Sequence, residues 1–367
     1  MLHEFLDNFA HNLFKPLLLF FYCGFLIPLF KVPLEFPKAL YQSLTIYLLL
    51  AIGWHGGEEL ATLSAEGFLQ AAGFMAIGFL MNAAIGLLAY QILTRFTKLR
   101  SIDAATVAGF YGSDSAGTFV TCLGVVTAAG ISYAAYMPVL LAVMEIPGCL
   151  VALLLVARLR ARGMDDEGNM PGEPGFTGHH DPAHRPASGL VSKKVLHEVF
   201  LNPGLYLLFG GIAIGFISRL QGEAVTRADD NLFVSLFHGV LCLFLLEMGM
   251  TACRRLRDLK AAGWPFTAFG LLAPNLFAFA GICAAHLYSH ALGTPFDLGT
   301  YALFAVLCAA ASYIAVPAVQ RLAIPEASPT LPLAASLGLT FTYNVTIGIP
   351  VYLLMARQVL ATFPVTD

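Results

Sequence analysis

Apolar residues run along nearly the whole chain, in blocks separated by short polar connections. A membrane-crossing helix needs about 20 mostly apolar residues. Ten blocks meet that length: 14–30, 39–55, 68–93, 104–129, 132–157, 200–219, 232–252, 264–289, 299–319 and 331–356. Gly and Pro interrupt several of them, so the pattern predicts membrane helices of which some are broken. The longest polar stretch, 161–196, is rich in Gly and Pro and divides the blocks five and five.

Composition agrees with the pattern. Of the 367 residues, 58% are hydrophobic and only 12% are Asp, Glu, Lys or Arg, about half the charged share of a soluble domain at about 25%. The expected class is an all-α integral membrane protein. Apolar blocks throughout the chain are not explained by a removable signal peptide. A formal charge of −3 argues against a nucleic-acid partner. The seven cysteines lie in or beside apolar blocks without CxxC spacing, and read as packing thiols.

Positive charge gives direction, because cytoplasmic loops retain Lys and Arg. With the N-terminus outside, sixteen of the twenty Lys and Arg residues fall on the inner side, and both termini face away from the cytoplasm. Five helices before and after the central loop imply halves of opposite orientation, the inverted-repeat plan of many transporters. The expected units are residues 1–160, a cytoplasmic loop 161–196, and residues 197–367. Traces of duplication agree: Pro16 and Gly24 match Pro203 and Gly211 at a separation of 187, and the tract around Gly53 aligns with that around Gly249.

The fourth block contains Gly112-Ser113-Asp114-Ser115 followed by Thr118. Non-helical backbone at membrane depth survives only inside protein or against a wet cavity, and an intramembrane carboxylate marks a functional candidate. A broken helix here offers N–H groups and hydroxyls to an anion. The ninth block holds Ser312-Tyr313 and Pro317 at the corresponding place in the second half. Gly112, Ser113, Ser115, Thr118, Ser312 and Tyr313 are therefore the candidate substrate residues. Glu145, before Pro147, and the pair Thr342 and Asn344 lie in the next block of each half. Hard cations take several oxygen ligands, so Asp114, Glu145, Thr342 and Asn344 are the candidate cation set, and either carboxylate equally permits proton carriage. Glu247 ranks below them. His179, His180 and His184 sit in a flexible stretch and read as solvated. No nucleophile with a matching base can be assembled, so no catalytic residue, resident metal or cofactor is expected.

The order and spacing of several tracts resemble the sodium-dependent bicarbonate transporter family, known from cyanobacteria. They are Gly53 with Gly56-Gly57; Asp103-Ala104 followed by Gly112, Ser115 and Thr118; Met144-Glu145-Ile146-Pro147; Met248-Gly249-Met250; Ser312 to Pro317; Arg321, Ile324-Pro325; and Gly348-Ile349-Pro350. The resemblance implies ten transmembrane helices in two inverted five-helix repeats, with interrupted crossover helices and core and gate domains. It also implies a homotrimer in the bacterial inner membrane, in contact with lipid, that imports bicarbonate with Na⁺. The cyanobacterial branch is closed by a PII-like regulator. The chain departs from that pattern where Tyr313 stands in place of an Asp, Asp114 occupies an apolar position, and Glu145 replaces an Asp. The alternatives are an H⁺- or Na⁺-coupled transporter of another small anion, such as a short carboxylate, and a regulated membrane sensor or channel.

Overall fold

The computed structural model describes residues 16–179, 203–256, 263–313, 316–317, 320 and 323–365. Among them every regular element is helical. In chain order these are α1 (Pro16–Leu29), α2 (Lys38–Leu60), α3 (Ala65–Phe96), α4 (Ser101–Tyr111), α5 (Ala116–Ala128), α6 (Met137–Ala161), α7 (Pro203–Leu220), α8 (Glu223–Leu256), α9 (Trp264–Leu292), α10 (Leu298–Ala309) and α11 (Leu331–Thr362). Each apolar block carries a helix. Six of these helices, α3, α6, α7, α8, α9 and α11, are long and apolar enough to cross a membrane, while α1 and α10 are shorter. His180 and His184, the end of the polar stretch 161–196, and Ile314, Ala315 and Arg321 of the second-half tract lie outside the described residues.

Glycine decides how α1, α2, α7 and α8 pair. A Cβ on Gly24 of α1 would lie 1.9 Å from the Leu246 carbonyl oxygen of α8, and one on Gly249 would lie 2.1 Å from that of Phe21. The contact of α2 with α7 is built alike: a Cβ on Gly53 would come within 2.9 Å of Gly211 Cα, and one on Gly215 within 2.2 Å of the Trp54 carbonyl oxygen. Backbones this close leave no room for a side chain, as is common where small residues line membrane interfaces.

The remaining helices pack around α4 and α5. In α4 every residue from Ile102 to Tyr111 is buried, and in α5 every residue from Gly117 to Val126. Helices apolar all round belong inside a bundle rather than at its surface. Helices α3, α6 and α11 pack on α4, while α10 packs on α5 and α9 packs on α10.

The start of α4 is anchored by the chain that follows α6. Glu173 Oε1 accepts from the Ser101 backbone N–H at 2.8 Å and from its hydroxyl at 2.6 Å. A carboxylate there satisfies an end N–H and matches the positive end of the helix. Asp103 accepts from Arg100 at 2.8 Å and from the Ser328 N–H at 2.7 Å. Asp165 organises the intervening turn. It is almost fully buried and accepts from the N–H groups of Glu167, Asn169 and Thr177. The polar stretch is thus held in place up to His179, although its Gly and Pro content reads as a flexible loop.

Candidate functional site

The fourth block is two helices in line, interrupted at Gly112 to Ser115. Gly112 ends α4 and its N–H still bonds to the Ala108 carbonyl at 2.8 Å. A side chain here would be crowded by backbone: a Cβ would lie 3.0 Å from Gly86 Cα, 3.1 Å from the Asn82 carbonyl oxygen and 3.1 Å from Gly148 Cα. Helices α3, α4 and α6 therefore touch backbone to backbone at the break. Ser115 caps α5, accepting from the Thr118 N–H at 3.3 Å and from the Thr118 hydroxyl at 3.0 Å. The expected hydroxyls of Ser115 and Thr118 are both engaged in forming the helix start.

Opposite the break, α6 opens at Glu145. Pro147 has no amide hydrogen and crowds the preceding turn, and two side chains take over carbonyls there. Ser113 Oγ donates to the Glu145 carbonyl at 2.6 Å, and Asn82 Nδ2 donates to that of Met144 at 2.9 Å. Glu145 thus holds the break through its backbone while its carboxylate remains buried. The Asp114 carboxylate is fully buried, lies within electrostatic reach of Glu145, and neither of its oxygens has a hydrogen-bond partner.

The second half contributes its own interruption. α10 stops at Ala309, and Ala310 is extended, with ψ 170°. The two breaks are joined directly: the Ser312 N–H donates to the Phe110 carbonyl at 2.8 Å. The last carbonyls of an interrupted helix lack intrahelical partners, and Ser312 of the second half satisfies one belonging to the first. The Ser312 hydroxyl is buried and unpartnered. Tyr313 turns toward α5, where a Cβ on Gly117 would lie 2.0 Å from its hydroxyl oxygen.

Helix α11 closes the site with two π-helical stretches, Ala334–Phe341 and Asn344–Gly348. Such wider turns are rare and recur at functional sites. Asn344 donates through Nδ2 to the Ala309 carbonyl at 3.1 Å and accepts at Oδ1 from the Tyr352 hydroxyl at 2.6 Å. Its polar atoms hold the end of α10. Thr340 donates to the Gly270 carbonyl at 2.9 Å, so the 2.6 Å contact between Tyr111 and Thr340 has the tyrosine as donor. Thr342 donates to the Leu337 carbonyl at 3.3 Å and is only partly buried; no described hydrogen bond joins it to Asp114 or Glu145.

The structure brings Gly112, Ser113, Asp114, Ser115, Thr118, Glu145, Ser312, Tyr313 and Asn344 to one crossing point of α4, α5, α6, α10 and α11. Glu247 stands apart on α8, accepting from the Thr251 hydroxyl at 2.9 Å. Sequence reasoning passed over Asn82 and Tyr352, and took Thr342 and Asn344 rather than Thr340 from the oxygen-rich tract Thr340 to Asn344. Asn82 had a signal, as an amide in the middle of the apolar run of α3. Tyr352 had none, since its partner is known only from the fold.

A model of the Na⁺-dependent bicarbonate transporter superfamily matches residues 16–357. The chain belongs to that superfamily. Among curated proteins no match to it is found. As a member of the Na⁺-dependent bicarbonate transporter superfamily with multiple apolar helices, it is a multi-pass transmembrane transporter, and the same two facts point away from an enzyme. The match starts at the first residue of α1 and ends within α11, so the whole crossing lies inside it.

Proposed function

We propose that the protein is a secondary active transporter that imports a small anion, bicarbonate, together with Na⁺. The observation that carries this reading is the bond from Ser312 N–H to the Phe110 carbonyl, which ties two interrupted helices together beside the unpartnered Asp114 carboxylate. Paired broken helices with free polar groups are the usual sign of a transporter's binding site. In this reading Gly112, Ser113, Ser115, Thr118, Ser312 and Tyr313 surround the anion. Asp114 and Glu145 take the cation, with Thr342 and Asn344 completing or supporting its oxygen set.

The same reading takes residues 1–160 and 197–367 as two inverted five-helix repeats joined by 161–196. The glycine contacts support it. Gly24 and Gly211 correspond by sequence spacing, as do Gly53 and Gly249, and each is a close-contact residue in an equivalent helix pair. Helices α1, α2, α7 and α8 then form the gate, and the helices around α4 and α5 the core. Homotrimeric assembly, the bacterial inner membrane, termini outside the cytoplasm and a PII-like regulator follow from the family resemblance. Tyr313, in place of the family's Asp, favours a second reading: another small anion, such as a short carboxylate, moved with H⁺ or Na⁺.

Uptake of labelled bicarbonate into proteoliposomes, with and without an inward Na⁺ gradient, tests the proposal. Wild-type protein accumulates the label only with the gradient, and Asp114→Asn abolishes that dependence while remaining folded. Na⁺-dependent uptake at wild-type rate in Asp114→Asn would falsify the role given to this carboxylate.

A further inference from the structure

Away from the crossing, the end of α9 carries a histidine pair that the transport reading does not use. His286 and His290 are four residues apart, which places them on one face of the helix, one turn from each other. Their ring centroids lie 4.7 Å apart, with planes at 89°. Two imidazoles that share a metal ion at about 2.1 Å from each nitrogen hold their ring centres about 5 Å apart. Helical zinc sites use this same spacing of histidines.

The two rings differ in their surroundings. His286 is only 7% exposed. Its Nδ1 lies 3.0 Å from the Tyr301 hydroxyl of α10, whereas its Nε2 is buried without a partner. A buried polar nitrogen left open is unfavourable until a ligand reaches it. A metal-binding histidine commonly donates its other ring N–H to a fixed acceptor, and the fully buried Tyr301 stands in that place. His290 is exposed, so solvent reaches the pair, and its ring can turn about χ2. Local charge favours a cation. His290 lies in the last turn of α9, and the carbonyl of Phe363, just past the end of α11, faces His286. The C-terminal ends of two helices thus converge on the pair, and each carries partial negative charge. Among the described residues no third His, Cys, Asp or Glu joins them.

We propose that His286 and His290 bind a divalent transition-metal ion through His286 Nε2 and one nitrogen of His290, with water in the remaining positions. Tyr301 is a positioning residue: its oxygen accepts from His286 Nδ1–H, which leaves the Nε2 lone pair to the metal. Imidazole ligands select Zn²⁺, Ni²⁺ or Cu²⁺ over Mg²⁺ and Ca²⁺. Tyr301 lies near the start of α10 and the break at its end, after Ala309, so the metal site is separate from the anion and cation positions of the crossing.

The test titrates the untagged, full-length protein with Zn²⁺ against a chromophoric chelator and follows its unfolding temperature with Zn²⁺ and with Mg²⁺. All proteins carry His179→Ala, His180→Ala and His184→Ala, which removes the histidines of the 161–196 stretch as competing ligands. In that background one Zn²⁺ is expected to bind per chain and to raise the unfolding temperature, while Mg²⁺ does neither. His290→Ala, at an exposed position, should leave metal-free unfolding unchanged and weaken Zn²⁺ by about tenfold or more. Tyr301→Phe keeps both ligands and should weaken Zn²⁺ about tenfold. Unchanged Zn²⁺ affinity in His290→Ala, or no Zn²⁺ binding once the three other histidines are replaced, overturns the site. Unchanged affinity in Tyr301→Phe overturns the positioning role of the phenol.

Discussion

Gly148→Ala puts a methyl group where α6 crosses α4. The added carbon would lie 2.1 Å from the Gly109 carbonyl oxygen, 2.4 Å from Ser113 Oγ and 2.6 Å from the Gly112 carbonyl carbon. Two of these three atoms are backbone and cannot rotate aside. Real Cβ contacts stay beyond 3.0 Å, so α6 must retreat from α4 by about 0.9 Å, the gap between 2.1 and 3.0 Å, in a close-packed interior. Overpacking of this kind costs about 1–3 kcal/mol. The retreat also pulls the Glu145 carbonyl from Ser113 Oγ, now at 2.6 Å, which adds about 1 kcal/mol. The expected loss is about 2–4 kcal/mol, read as a lower unfolding temperature of the purified protein, with transport lost in parallel because the break itself is displaced. Gly210→Ala on α7 is the control: a Cβ there meets nothing within 4 Å, and the change should fall within about 0.5 kcal/mol of zero. If Gly148→Ala unfolds and transports like this control, the backbone crossing at Gly112 is not as tight as described.

Asn344→Ala strips the Ala309 carbonyl and the Tyr352 hydroxyl of their partners; leaving such groups buried costs about 1–3 kcal/mol each, and thermal unfolding should show it at constant pH. Asp165 gives a pH dependence. Burial opposes its ionisation, but hydrogen bonds from the N–H groups of Thr177, Asn169 and Glu167 and from the Thr177 hydroxyl outweigh it and hold the carboxyl below its ordinary value. A depressed folded-state value means that its contribution is complete above the unfolded value, about 3.9, and is lost as pH falls through the folded one. The stability gap between wild type and Asp165→Asn should therefore be constant from about pH 5 upward and close below about pH 4; a gap that persists unchanged to about pH 3 contradicts the assigned hydrogen bonds.

The helices were legible because every one of them follows an apolar block, and lipid demands that pattern. The break before α5 was legible too. Gly112-Ser113-Asp114-Ser115 places a capping serine three residues before Thr118, and the N-cap bond follows that spacing. The π-helical stretches of α11 were not. Nothing in Ala334 to Gly348 departs from an ordinary apolar helix with a few hydroxyls; the wider turns accompany bonds from Thr340 to Gly270 and from Asn344 to Ala309, partners 70 and 35 residues away in sequence. For the same reason Glu145 shows in the sequence only through its carboxylate, the candidate cation ligand, and not through its backbone. That its carbonyl, rather than its side chain, meets Ser113 depends on a helix crossing that no local pattern encodes.

Depth explains why Asp114 is tolerable at all. A helix rises about 1.5 Å per residue, so the 11 residues of α4 and the 12 of α10 cover about 16 Å and 18 Å. Each is close to half of a hydrocarbon core about 30 Å thick. The two breaks thus come at matching depth, which the bond between Ser312 and Phe110 requires. A carboxylate at that depth is costly in lipid, and Asp114 escapes lipid only because α3, α6, α10 and α11 surround the break. Those helices shield it without donating a hydrogen bond to either oxygen. A purely structural carboxylate would have drawn such donors, as Asp165 and Asp103 do. The contrast between these three aspartates, two saturated and one left open where both helices stop, supports the cation role proposed for Asp114 more sharply than burial or hydropathy does.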